Sequence, residues 1–334
     1  MSPDLTPPRY NEEAMRARIL GLVFFVVFFA LSGRVVAKVT ITDATDEGIA
    51  CFKIVTDTAT YFYDKAGAGF TSMIDKAGTD WINFRPQGAA PDGQSGWFRG
   101  IPNMGLNQFG HPGYTGATST TSDAKGVALS KVTVKSTKGK WSVTWEFLPT
   151  CAMMTVHSVA ENYWFLYEGT PGGAVGSDDY SYRSNGSKAQ LDKKWAGDIT
   201  NTSGAASGTE WIYFADGKVD RSLLMIHDDD SIVDQYYLMS PMTVFGFGRA
   251  ASGTGRQMSA TPATLIIGFI ETRDYATAKG QIDAVYKDAT NPGTPTPSLP
   301  DLRDDCDKGI RDHRSGSAAD GDVRAKVKTY RNAK

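Results

Sequence analysis

The heptapeptide Trp141-Ser142-Val143-Thr144-Trp145-Glu146-Phe147 alternates large apolar and polar side chains without a break. In an extended chain, successive side chains point to opposite faces, so this segment offers one face to a core and the other to water. Further strand-like runs, some alternating and some continuously apolar, recur at 39–42, 52–56, 60–64, 70–74, 81–84, 127–136, 153–159, 163–167, 210–214, 222–227, 242–247 and 263–271, with Gly and Asp turn signals between many of the runs. That is too many strands for an immunoglobulin-like sandwich. It predicts an all-β fold: a large β-sandwich or supersandwich of antiparallel sheets.

Two stretches, 85–125 and 169–207, fit no strand and are rich in Gly, Pro, Ser and Asn. Loops of this length in a compact domain are functional or disordered. The first carries Trp97, Phe98, Arg99, Phe109, His111 and Tyr114, and the second carries Asp178, Asp179, Tyr180, Tyr182 and Arg183. Both are read as long ordered loops shaping one face of the sandwich. A short helix is expected over 276–289, capped by Asp274, with Ile282, Val285 and Tyr286 on one side.

The ends read differently. Arg16 and Arg18 precede an almost wholly apolar run at 19–31, and Val35-Val36-Ala37 offers a cleavage site, which is the pattern of a secretory signal. The run falls short of the roughly 20 residues a membrane helix needs. An uncleaved anchor is the alternative, and Met15 is a second candidate start. The expected organisation is a signal peptide at 1–37, a β-sandwich domain at 38–290 and a disordered, charged, proline-rich tail at 291–334. The mature protein is expected to be secreted or periplasmic, with no stable membrane span after cleavage.

Composition narrows the function. The formal charge is −2, and no basic stripe marks the domain, so nucleic acid is not an expected partner. Three cysteines, Cys51, Cys151 and Cys306, are too few for a disulfide scaffold. Cys51 and Cys151 both sit in strand-like runs and read either as one bridge or as two buried thiols. No Gly-x-Ser-x-Gly elbow occurs, and the four histidines form no His-x-x-x-His pair.

Three constellations can carry chemistry. Trp97 through Tyr114 gathers aromatic faces for sugar rings, Arg99 for a carboxylate, and His111 as acid or base. The alternative is that the aromatics anchor the loop and Arg99 makes a structural ion pair. The run His227-Asp228-Asp229-Asp230, followed by Asp234, Tyr236 and Tyr237, concentrates carboxylates. It reads as a calcium site, as an acidic cluster relieved by Arg249 or Arg221, or as a solvated turn. Finally, Trp164 through Gly173 delivers Glu168 to a strand end before a glycine-rich turn. Arg249 closes the run Phe245-Gly246-Phe247-Gly248-Arg249, within reach of a ligand, while His157 reads as a satisfied core or surface histidine.

The segment from Tyr61 to Ile82, with Gly69-Phe70-Thr71-Ser72-Met73-Ile74-Asp75-Lys76-Ala77-Gly78 at its centre, resembles the opening of galactose-mutarotase-like β-supersandwich proteins. Residues 153–182 are also similar in order to the catalytic domain of rhamnogalacturonan lyases. Together these cover about a quarter of the chain. They imply a carbohydrate ligand without choosing a reaction.

The resulting expectation is a secreted carbohydrate-active enzyme, most concretely a polysaccharide lyase cleaving a uronate-containing glycan by β-elimination. His111, His227, Tyr236, Tyr237 and Glu168 are the candidate catalytic residues, and Trp97, Arg99, Tyr114 and Arg249 the candidate substrate-binding ones. His111 and His227 are expected to share a cleft. No cofactor is required, although calcium at Asp228, Asp229 and Asp230 is one reading. The alternatives are a non-catalytic glycan-binding protein and a glycoside hydrolase using a carboxylate pair such as Glu168 with Asp229.

Overall fold

The alternating run at 141–147 forms a strand whose Trp141, Val143, Trp145 and Phe147 are all buried. Around it, a computed structural model describes residues 38–87, 94–105, 109–193, 209–228, 234–239, 241–249 and 255–291. The expected signal segment and nearly all of the expected tail lie outside these residues.

Strands dominate, and every strand pair is antiparallel. The first sheet is a meander of β1 (Thr40–Asp46), β2 (Ile49–Val55), β3 (Ala59–Asp64) and β4 (Phe70–Asp75). The next strands in the chain are β5 (Thr118–Thr120), β6 (Val132–Lys138), β7 (Trp141–Phe147), β8 (Cys151–Ser158) and β9 (Phe165–Gly169). They are followed by β10 (Tyr180–Arg183), β11 (Lys188–Gln190), β12 (Glu210–Ala215) and β13 (Ser222–His227). The last are β14 (Gln235–Met239), β15 (Met242–Phe247) and β16 (Ala263–Ile270). A nine-stranded sheet runs β11-β10-β12-β13-β16-β8-β7-β6-β5, and a three-stranded sheet runs β14-β15-β9.

Residues 100–104 join the two smaller sheets. Phe70 N–H donates to the Ile101 carbonyl at 2.7 Å, on the β4 side. On the β9 side, Gly100 N–H donates to the Glu168 carbonyl at 2.7 Å, and Glu168 N–H returns a bond to the Gly100 carbonyl at 3.0 Å. Leu166 N–H donates to Pro102 at 2.7 Å. These bonds satisfy backbone groups that would otherwise sit on two sheet edges. The meander and the three-stranded sheet thereby form one layer.

That layer packs on the nine-stranded sheet through aromatic residues. Phe70 meets Trp145 at 4.8 Å between ring centroids, Tyr61 meets Phe147 at 5.4 Å, and Tyr167 meets Phe214 at 5.0 Å. Edge-on contacts at such distances add to the area term that buried aromatics contribute. Tyr63 Oη and Ser136 Oγ share a hydrogen bond of 2.8 Å between the layers, which gives a fully buried phenol its partner.

A second core lies on the outer face of the nine-stranded sheet. Besides a short α1 (Gln94–Phe98), the described residues include one long helix, α2 (Tyr275–Thr290), capped by Asp274, whose carboxylate accepts from Thr277 N–H at 2.9 Å. Ala278, Ile282, Val285 and Ala289 of α2 are buried with Leu224, Ile226, Ile266 and Ile270. No described helix is long and apolar enough to cross a membrane.

Several expectations change. Residues 81–84 form bends rather than a strand, because the Asp80 carboxylate accepts from the N–H groups of Ile82 at 3.0 Å and Asn83 at 2.8 Å. The strand expected over 127–136 begins only at Val132. The stretch 169–207 contains the pair β10–β11, and β14 had no clear alternation to announce it. Cys51 and Cys151 are separate buried thiols.

Candidate functional site

Strand β9 alternates between two environments. Phe165 and Tyr167 face the core, and the Tyr167 hydroxyl donates to the Trp81 carbonyl at 2.6 Å. Leu166 and Glu168 therefore take the opposite face of the layer. Across the sheet, Glu168 pairs with Val244 of β15, and Val244 pairs with Tyr237 of β14. Tyr237 and Glu168 thus stand on one row of one face, two strand spacings or roughly 10 Å apart at the backbone.

Three neighbours define the chemistry at Glu168. The Asn103 side-chain amide donates to Glu168 Oε2 and also to the Phe98 carbonyl at 3.2 Å. Asn103 has a left-handed backbone (φ 44°), a conformation asparagine tolerates better than most residues. The Arg249 guanidinium lies 5.6 Å from the Tyr237 ring centroid, and its charge acts on Glu168. Glu168 is partly exposed, yet desolvation dominates. Burial pushes its carboxyl up to about 7, against the opposing pulls of Arg249 and Asn103. Burial likewise lowers the pKa of Arg249. A carboxyl poised near neutrality beside a cation can both take and return a proton.

The aromatic loop lies alongside, tied in through the Phe98 carbonyl. Trp97 packs on Phe98 at 4.9 Å and on Tyr114 at 5.5 Å, and His111 meets Tyr114 edge-on at 4.6 Å. His111 Nδ1 donates to the Pro112 carbonyl at 3.0 Å, which makes Nε2 the unprotonated nitrogen, and Nε2 has no hydrogen-bond partner. Burial pushes the imidazole down to about 4, so it is neutral at pH 7. Close packing of this loop depends on Gly69, where a Cβ would stand 2.3 Å from the Gly110 carbonyl oxygen.

Among the expected site residues, Glu168, Tyr237 and Arg249 come together, and Trp97, His111 and Tyr114 form one cluster. His227 occupies a different environment on β13. Its Nδ1 bonds Glu210 Oε1 at 3.0 Å, its ring lies 5.3 Å from that of Phe247, and it lines a 190 Å³ cavity with Tyr163 and Met258. Tyr236 points between the layers, where its hydroxyl donates to the Leu191 carbonyl at 2.5 Å. Arg99 donates to the Asn83 carbonyl at 3.1 Å and lines a cavity with Arg85. Asp228 accepts from Thr209 at 2.9 Å and Tyr286 at 2.8 Å, while Asp229 and Asp230 lie outside the described residues. No cluster of three potential metal ligands occurs among the described residues. Arg221 pairs with Asp75 and Glu271, and His157 is an exposed histidine bonded to Thr144 at 2.8 Å. Asn103 had no sequence signal beyond being an asparagine in a glycine- and proline-rich loop.

No family model and no curated protein match this chain. Solved structures similar to this chain include HI1317, at 12% identity and TM-score 0.42, covering 70% of this chain and 100% of that one. YeaD from Salmonella typhimurium, described as a candidate mutarotase, is 7% identical at TM-score 0.40, with coverage of 70% and 94%. YidC from Thermotoga maritima is 9% identical at TM-score 0.33, with coverage of 74% and 58%.

Proposed function

We propose that this is a carbohydrate-active enzyme whose site is the outer face of β14-β15-β9, and that it cleaves a uronate-containing glycan by β-elimination. The observation that carries the reading is Glu168, a partly exposed carboxyl raised to about 7 on the outer face of its sheet, with Arg249 and Tyr237 on the same face. Arg249 would meet the uronate carboxylate and lower the cost of negative charge at C5. Ionised Glu168 would take the C5 proton. The electron pair would form the C4–C5 double bond as the C4–O bond breaks, and the leaving oxygen would take the Tyr237 hydroxyl proton; after product leaves, the proton on Glu168 would pass through water to the Tyr237 phenolate, returning both groups to their starting states. Trp97 and Tyr114 would offer ring faces to a neighbouring sugar.

This reading calls for no metal, and chelator-treated protein is expected to retain its activity. Among the described residues, the electrostatic partners of Glu168 are Arg249 and Asn103 rather than a second carboxylate, and that pairing favours elimination over carboxylate-pair hydrolysis, with Asp229 lying outside the described residues. Export remains a proposal resting on residues 16–37, tested by the N-terminal sequence of the secreted protein.

The decisive experiment incubates the purified protein with uronate polysaccharides and records absorbance from the unsaturated product. Glu168→Gln should lower the rate by ~100-fold or more. Absence of product with every uronate polymer, together with saturable binding, would instead favour a glycan-binding protein built on the aromatic cluster.

A further inference from the structure

Strand β9 does not end its outward face at Glu168. Thr170 continues the extended backbone (φ −126°, ψ 94°), so its side chain falls on the Glu168 side of the layer, about 7 Å along the chain direction. It opens onto a cavity of about 340 Å³ lined by Asn83, Arg85, Arg99, Thr170, Val175 and Pro241, among others.

Three properties of this cavity point to an anion. Two guanidinium groups reach it from different segments: Arg85 follows the bends at 81–84, and Arg99 follows α1. The Arg99 side chain is held by its bond to the Asn83 carbonyl, and Asn83 itself is fixed in a left-handed conformation (φ 57°) by the Asp80 carboxylate. Finally, the Thr170 hydroxyl is buried in the cavity wall with no hydrogen-bond partner. Such a group costs free energy unless something in the cavity bonds it. A hydroxyl donor and two planar forks are the groups that recognise an oxyanion.

We propose that this cavity is an accessory subsite for the acidic group, carboxylate or sulfate, of the sugar unit next to the one held at Glu168. The substrate class is then a polyanionic glycan with charges on successive units, and this inference rests on the site proposed above. Arg85 also bonds Glu47 at 2.6 Å and the Phe84 carbonyl at 2.7 Å, which steers it while leaving further donors of its fork for a ligand.

The test is calorimetric binding to the intact protein, so it does not depend on turnover. Four probes are compared: a monomeric uronate, a tetrameric uronate, a sulfated galactan tetramer and a neutral galactan tetramer. One or both charged tetramers should bind at least ~10-fold more tightly than the neutral one, with an affinity that falls as salt is raised. Whichever charged tetramer wins identifies the anion. Arg85→Gln should remove most of the preference of tetramer over monomer. Thr170→Val, which keeps the buried shape, should reduce it several-fold, so the result does not hang on one variant's folding. Equal affinity for neutral and charged tetramers, or binding of none, overturns the subsite, as does an unchanged tetramer preference in both folded variants. If the preference is lost in the variants while no unsaturated product ever forms, the subsite stands and the elimination reaction falls.

Discussion

The two outer faces of this sandwich are treated differently. On the nine-stranded sheet, α2 lies over Leu224, Ile226, Ile266 and Ile270 and seals them with its own apolar stripe. On the opposite layer, β9, β15 and β14 present Glu168, Val244 and Tyr237 in a row, in which Val244 is buried, Glu168 half-buried and Tyr237 40% exposed. Each layer also holds a deeply set glutamate. Glu210 of the nine-stranded sheet points inward with Ile212 and Phe214, fully buried and bonded to His227, whereas Glu168 points outward, meets an arginine and an amide, and is partly exposed. The helix-covered face holds the fold together, and the other face sets a half-buried titratable group beside a cation and an exposed aromatic ring.

Stability and site chemistry should therefore come apart. Ile282→Ala removes a buried side chain from the covered face, and should cost about 2–4 kcal/mol in denaturant unfolding. Its glycan affinity, measured where the variant is folded, should match that of the parent. Parallel loss of affinity would mean that the two faces are coupled.

The next effect is one of pH. The folded pKa of Glu168 stands above its unfolded value, so the native state holds the proton more tightly. That contribution is full below about pH 4 and is lost as pH rises toward 7. Glu168→Gln should therefore be more stable than the parent at pH 8, by on the order of 2 kcal/mol after allowance for residual exposure, with the gap closing at pH 4. Thermal unfolding of both proteins across this range reads the difference directly; a gap of the same size at both ends would deny Glu168 its raised pKa.

His111 should give the opposite slope. Its folded pKa is depressed to about 4, so stability present above about pH 6.5 is lost as pH falls toward 4. His111→Gln should flatten that decline, and an unchanged acid limb would place the imidazole in contact with solvent. The smallest effect belongs to the cap of the covering helix: Asp274→Ala should cost about 1 kcal/mol without touching the Glu168 face.

How much of this was legible depended on where the information lies. Alternation in β7, the apolar run of β13 and the Asp274 cap are local, and they read correctly. Residues 81–84 read as a strand because their side chains are buried, yet it is the Asp80 carboxylate that sets their backbone, and no periodicity reports that. The 100–104 segment looked like loop, because its glycine and proline conceal that it completes a layer between two strands far apart in sequence. At the site, Glu168 and Arg249 could be named from strand ends and Tyr237 from its place after the acidic run, whereas the roles of Asn103, Arg85 and Thr170 could not be read. Their roles come from long-range juxtaposition, and so does the location of His227 among different neighbours from His111.

The separate burial of Cys51 and Cys151 makes these two thiols sentinels of the folded state. Both are wholly enclosed, and burial pushes each up to about 12, so neither offers a thiolate to an alkylating reagent while the sandwich is closed. Cys51 lies in the meander and Cys151 at the start of β8, in opposite layers. Labelling rates at the two positions would time the opening of each layer independently, using reporters the chain already carries.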